Sequence, residues 1–372
     1  MDNFSLKPDI KFGEDSLDFL KTQKFKRYFI VTDKVMVSLK FVDKIIEKLG
    51  SNICVKIFSD VTPNPTVESV EKAVKEMLVF NPECIIALGG GSPIDACKAM
   101  LYFGDKVKDE LKENSEKIKF IAIPTTSGTG SEVTSYSVLT AGDKKIALSN
   151  DSMLPDIALL NPLFMETLPK KVIADTGIDV LTHSLEAYVS KKSNPFTNSM
   201  AIEAIKLVYK YLVPHYNDSK ILIPRENIQY ASCLAGIAFN NSSLGINHSI
   251  AHTLGAKLHI SHGRANGIVM PYVIDVNTNA YNLYSKIAEE LKLPASSVEE
   301  GKKSFKIYVE ILKEKLEIPK CLKDLGIPFE EYKRLIPEFI CDIKNDICTE
   351  YSPNTLSDEE YIKLLLKIYF GE

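Results

Sequence analysis

CIIALGGGSPID, residues 84–95, decides the fold. The apolar run Cys84–Leu88 is unbroken, three glycines follow, and a helical pattern starts after Ser92-Pro93. A short continuous apolar run suits a strand covered on both faces. Glycines let a ligand come close to the backbone, and the N–H groups of a helix N-terminus suit a pyrophosphate. Ser92 is expected as N-cap and Pro93 as the first helical residue. A capping box of Ser92 with Asp95 is the plain structural alternative, but it needs fewer than three glycines.

Outward from this stretch the pattern repeats. Tyr28–Thr32, Ile53–Phe58 and Lys119–Ile123 are further β-rich runs. Between them Val67, Val70, Ala73, Val74, Met77 and Leu78 form one apolar stripe, with Thr66 placed to cap it. Strands alternating with helices imply parallel βαβ units. A hairpin is expected at Tyr136–Thr140 with Lys144–Leu148, and a last strand at Ile157–Leu160. Beyond about residue 170 strand signals fade. Val172–Ser190, Thr197–Val213, Arg225–Asn241, Asn247–Lys257, Asn266–Asn279, Tyr281–Leu291 and Ser357–Tyr369 read as helices. The expected fold is an α/β dinucleotide-binding domain with a mostly parallel sheet over residues 1–172, then an all-α metal-binding domain over 173–372. No Gly/Ser-rich linker separates them, so a closely packed pair with a cleft between the halves is expected.

A second loop, PTTSGTGSE at residues 124–132, follows the next strand. Two such loops at the carboxyl ends of successive strands point to a nucleotide, because open α/β sheets bind ligands at that edge. The first loop is not G-x-G-x-x-G, since Ile94 occupies the last position, nor is it a P-loop. Asp33, after the run Tyr28–Thr32, suits ribose hydroxyls and disfavours a 2′-phosphate, which favours NAD over NADP.

The chain has only six histidines. Asp179 and His183 stand at i, i+4 in an apolar helical pattern; His248 and His252 repeat the spacing, and His262 follows. Imidazoles and a carboxylate among apolar residues suit a divalent transition metal. His215, after Val213-Pro214, is expected in a loop, and His259 as pocket wall rather than ligand.

Composition excludes other classes. With 45 basic and 49 acidic residues the net charge is −4, which provides no electrostatic case for nucleic acid or an acidic membrane. No apolar run is long enough to span a bilayer, and the start lacks the pattern of a signal peptide. Seven cysteines, none in C-x-x-C, read as reduced thiols of a cytoplasmic protein.

GGGSPIDACKA, PTTSGTGSEVT, DVLTHSLEAYVS and GINHSIAHTLGAKLHISHG together resemble the iron-dependent (group III) alcohol dehydrogenases. The wording is nearest the ethanol and propanol dehydrogenases of bacterial microcompartments, with butanol and propanediol dehydrogenases close by. The resemblance implies Asp179, His183, His248 and His262 as ligands of Fe(2+), with Zn(2+) as the alternative. His252 would be a catalytic histidine beside the nicotinamide rather than a ligand. Gly89, Gly90, Gly91, Ser92 and Asp95 would hold the pyrophosphate of NAD. Asp33, Asn64, Thr125, Thr126, Val138 and Lys145 would make further cofactor contacts, and Phe239 would line the substrate pocket. Ser261 stands where the family often has proline, and Arg264 where an aliphatic residue is frequent. The implied activity is reversible hydride transfer between a small primary alcohol and its aldehyde, by a homodimer or larger homo-oligomer, cytoplasmic or enclosed in a microcompartment. The runner-up readings are a zinc glycerol or 1,3-propanediol dehydrogenase and a dehydroquinate-synthase-like lyase. A nucleotide-dependent phosphoryl transferase and a non-catalytic scaffold stand further off.

Overall fold

The computed structural model describes residues 4–110, 117–142 and 144–372. The chain divides into two compact units, Ser5–Thr167 and Leu168–Glu372, the second joined by Phe4.

The first unit is built on a six-stranded parallel sheet. Its strands are β1 (Asp9–Phe12), β2 (Arg27–Val31), β3 (Cys54–Phe58), β4 (Cys84–Gly89), β5 (Lys119–Pro124) and β8 (Ile157–Leu160), in the order β1-β8-β5-β4-β2-β3. β6 (Tyr136–Ala141) and β7 (Lys144–Ser149) form a separate antiparallel hairpin. The helices are α1 (Lys34–Ser38), α2 (Phe41–Leu49), α3 (Val67–Phe80) and α4 (Gly91–Glu110).

Side chains alternate across the sheet, and both faces are covered. Phe29, Val31, Ile85, Ala87, Phe120 and Ala122 pack against Val70, Val74 and Met77 of α3 and Ile94, Cys97 and Met100 of α4. The intervening Tyr28, Ile30, Ile86 and Ile121 are equally buried. This is why these strands read as continuous apolar runs. β1 lacked that signature: DIKF is half exposed and pairs only with β8 at the sheet edge. Thr66 caps α3 as expected, accepting from the Ser69 N–H.

The second unit is helical. α5 (Lys170–Val189), α6 (Pro195–Asn217), α7 (Leu222–Ser242), α8 (Ile246–Leu258) and α9 (His262–Val276) are followed by α10 (Tyr281–Glu290), α11 (Val298–Lys315), α12 (Phe329–Asn345) and α13 (Asp358–Phe370). Ile178, Leu181 and Leu185 of α5, Ile205 and Val208 of α6, and Ile268 and Val269 of α9 belong to one buried cluster. α13 opens with the capping box of Ser357 and Glu360. Among the described residues no helix is long and apolar enough to cross a membrane.

His215 corrects an expectation. It lies inside α6 and is buried, because Pro214 sits in the helix without ending it. A proline so close to the C-terminus forfeits one backbone bond, and the last turn continues past it.

Candidate functional site

In the helical unit three helices bring four donors together. α5 presents Asp179 and His183 on one face, α8 supplies His248, and α9 begins at His262. Donor atoms of the four lie within 4.8 Å of one another. His183 Nδ1 is 3.9 Å from Asp179 Oδ2; His248 Nε2 is 3.8 Å and His262 Nε2 3.6 Å from Oδ1. Donors bound at ~2.0–2.2 Å around a tetrahedral centre would sit roughly 3.3–3.6 Å apart, so the cage is close to the size a divalent ion needs.

The surrounding hydrogen bonds prepare this cage. Glu186 stands one helical turn beyond His183 on α5 and is buried. Its Oε2 lies 2.5 Å from His248 Nδ1 and accepts the His248 N–H, while Oε1 accepts the Asn247 N–H. Burial keeps the His248 pKa well below its ordinary value, so the ring is neutral. With the proton on Nδ1 toward Glu186, Nε2 carries a lone pair. That atom is buried and has no hydrogen-bond partner among the described residues. The Asn266 amide donates to Asp179 Oδ1 at 2.7 Å. Burial pushes the carboxyl of Asp179 up to about 8 and that of Glu186 to about 7. A buried carboxylate, a neutral imidazole with an orphaned lone pair and two further imidazoles fit a divalent cation, whose charge would restore Asp179 to its ionised form.

Glu186→Gln should therefore weaken metal binding by roughly 10–100-fold. The glutamine can still accept the Asn247 N–H, but its amide cannot hold the Nδ1 proton as a carboxylate does. Competition with a chromogenic chelator measures this; affinity within twofold of wild type would rule out that role for Glu186.

Phe239 stacks on His183 with ring centroids 4.6 Å apart and an interplanar angle of 22°. His252 is not among the four, but its ring stacks on that of His262 at 5.2 Å. Its Nδ1 meets Asp346 Oδ2 at 2.8 Å. His259 caps α8 in the left-handed conformation and is exposed. Ser261 and Arg264 both bind the Asp175 carboxylate, at 2.8 and 3.0 Å. They thereby fasten the start of α9 to α5.

In the α/β unit the sheet order places its switch point between β2 and β4, since β3 lies on one side of β2 and β4 on the other. Ligands of open α/β sheets bind at the carboxyl ends of strands at such a point. Asp33 follows β2 and the triple glycine follows β4. One departure concerns the cap. α4 begins at Gly91, so Ser92 lies inside the first turn and is not its N-cap. Ser92 Oγ accepts the Asn64 N–H at 3.3 Å instead. Asp95 forms no capping box either; it accepts from Ser131 Oγ at 2.6 Å and from the Val138 N–H at 3.1 Å. A Cβ on Gly91 would lie 2.9 Å from Thr129 Cγ2, so a larger residue there would force the Thr129 side chain of the second loop to shift.

Thr125 is buried, with its N–H donated to Gly89 O, and Thr126 lies against Gly90. Asp33 caps α1 through Oδ1, which accepts the Val35 and Met36 N–H groups. Lys145 is exposed on β7, opposite Thr140. Sequence reasoning missed Lys98. It is fully buried and donates to Ser131 Oγ, Thr134 Oγ1 and Tyr136 O at 2.9, 3.1 and 2.8 Å. Burial pulls its pKa down to about 8. Lys98 and Asp95 thus join the glycine loop to the second loop and the hairpin. Their i, i+3 spacing was the one signal available.

Residues 8–162 match the iron-containing alcohol dehydrogenases, and residues 173–369 the C-terminal part of the Fe-containing alcohol dehydrogenase family. The chain belongs to the iron-containing alcohol dehydrogenase family. Similar proteins in it include an NADPH-dependent butanol dehydrogenase of Clostridium saccharobutylicum, 40% identical over 100% of this chain and 99% of that one. A 1-propanol dehydrogenase of Citrobacter freundii is 35% identical over 98% and 99% of the two chains. Among solved structures, the sulfoacetaldehyde reductase of Bifidobacterium kashiwanohense in complex with NAD+ superposes with a TM-score of 0.89. It is 25% identical, and the match covers 100% of both chains.

Proposed function

We propose that this protein is a metal-dependent, NAD(H)-linked alcohol dehydrogenase that interconverts a small primary alcohol of the ethanol, 1-propanol or butanol class and its aldehyde. The observation that carries the reading is the convergence of three buried residues, Asp179, His183 and His248, with the half-buried His262. A divalent cation bound there supplies Lewis acidity to a carbonyl or hydroxyl oxygen, and bound NAD(H) supplies the two-electron redox partner.

The chain's own residues do the rest. Glu186 and Asn266 orient the donors. The glycine loop and the N-terminus of α4 offer backbone N–H groups to the pyrophosphate. Asp33 uses Oδ1 for its cap, which leaves Oδ2 for a ribose hydroxyl and opposes a 2′-phosphate; this supports NAD over NADP. Phe239 gives the His183 side of the site an apolar wall suited to a short alkyl chain. His252 is the candidate proton carrier, because its Nδ1 is held by Asp346 and its side chain is 36% exposed. The same reading makes the protein a homodimer or larger homo-oligomer, cytoplasmic or enclosed in a microcompartment; its mass in solution tests the oligomeric state.

Anaerobic purification with elemental analysis, followed by NADH and NADPH oxidation with C2–C4 aldehydes, tests the assignment. The expected result is one iron per chain and NADH-dependent reduction. A metal-free preparation as active as the loaded one would overturn the metal's role, and a preference for NADPH would overturn the reading of Asp33.

A further inference from the structure

His252 has one ring nitrogen held and one free. Nδ1 is 2.8 Å from Asp346 Oδ2, and no hydrogen bond joins Nε2 to a described residue. The carboxylate of Asp346 is itself immobilised from several sides. It lies just past the end of α12 and caps the turn Ile347–Tyr351. Oδ1 accepts the Cys348 N–H at 2.9 Å and Ser249 Oγ at 3.2 Å. Ser249 Oγ in turn accepts from Thr349 Oγ1 at 2.8 Å. Ser249 and His252 both belong to α8, so Asp346 grips one face of that helix at two points.

A fixed carboxylate facing one imidazole nitrogen places the proton on that nitrogen and sets the plane of the ring. The ring so fixed stacks on His262 with an interplanar angle of 15°. We propose that Asp346 is a positioning residue of the dehydrogenase: it holds His252 as the Nδ1–H tautomer in one orientation and leaves Nε2 free to hydrogen-bond a hydroxyl of the reacting complex. This rests on the reading of His252 as a proton carrier. His252, Asp346 and Cys348 also have donor atoms within 4.8 Å of one another, as a metal group would. Both oxygens of Asp346 already accept hydrogen bonds, however, so the arrangement works as a brace without an ion.

Asp346→Asn is the discriminating variant, because asparagine keeps the size and can still cap the turn. In metal-loaded enzyme it should lower kcat by at least ~10-fold, and by no more than the ~10²–10⁴-fold that His252→Ala removes. The KM for aldehyde, the Kd for NADH and the metal content should stay as in wild type. Combined with His252→Ala it should cost nothing further, since Asp346 acts only through that ring. Effects that multiply in the double variant, a kcat within twofold of wild type, or loss of a second metal equivalent from Asp346→Asn would each overturn the proposal. NMR of nitrogen-labelled histidine in zinc-loaded protein reads the tautomer directly. Nδ1–H at His252 in wild type, lost in Asp346→Asn, supports the brace; Nε2–H in wild type refutes it. That arm does not depend on activity, so a wild type inert toward alcohols and aldehydes would sink the functional reading while the NMR still decides the role of Asp346.

Discussion

Asp179→Asn should yield a folded protein that retains almost no metal and has lost at least ~10³-fold in kcat, the loss expected when several kcal/mol of Lewis-acid stabilisation disappear. Asp179 is the one carboxylate among the four donors, and its carboxyl is pushed up to about 8 by burial, with Asp175 and Glu186 adding repulsion. A neutral amide removes the anion that makes the cage attractive to a cation while keeping the side chain's shape. The fold should not suffer. In the metal-free wild type the folded-state pKa lies above the ordinary carboxylate value, so the folded form binds the extra proton between pH ~4 and ~8. Stability of the metal-free protein should then fall as pH rises through that window, and the asparagine variant should lack this part of the slope. Elemental analysis after gel filtration and thermal melts with and without chelator measure both effects. A variant that kept its metal would show that the imidazoles alone hold it.

The clustering of Asp179 with several histidines was legible because its signals are local and rare, whereas the resemblance, not the spacing, set His252 apart from the four donors that lie together. Asp179 with His183 and His248 with His252 are i, i+4 pairs, and the chain has few histidines to distribute among alternatives. Glu186 lies on the same face of α5 as Asp179 and His183, yet a glutamate in a helix ordinarily reads as solvent-facing, and only burial reveals its role. Asn266 and Asp346 reach partners 87 and 94 residues away in the chain, and no periodicity encodes such a pairing. The strands buried on both faces were readable from continuous apolar runs. The edge strand β1 was not, because its four residues, DIKF, include two charged side chains and form no apolar run; β3, the other edge strand, still showed apolar residues on either side of Lys56. The helix cap at the glycine loop was misplaced for a related reason: Ser92 and Asp95 have the residue types of a capping box, but their side chains are taken by Asn64, Ser131 and Val138 from distant segments.

Gly263→Ala should damage the metal site without touching a ligand. Gly263 is the second residue of α9, directly after His262, and a Cβ there would run into the carbonyl oxygen of Asp175 on α5. The obstacle is helix backbone, which cannot rotate away as a side chain can. Relief requires α9 to lift from α5, and His262 at its first position must move with it. Its Nε2 now lies 3.6 Å from Asp179 Oδ1, whereas a metal site tolerates only about 0.2 Å of error in its bonds. The Asp175 clamp on Ser261 and Arg264 resists the same displacement, so strain is added to misplacement. Overpacking of this kind costs about 1–3 kcal/mol of stability. The loss of metal affinity should be on the order of 100-fold, as for ångström-scale misplacement of a reacting group. Gly267→Ala is the control on the same helix: its Cβ would meet only side-chain carbons of Ile178 and Ile318, at 3.2–3.3 Å, which can yield. It should keep its metal and most of its activity. Equal metal affinity in the two variants would mean that the close approach of α9 to α5 is a packing detail and not what seats His262.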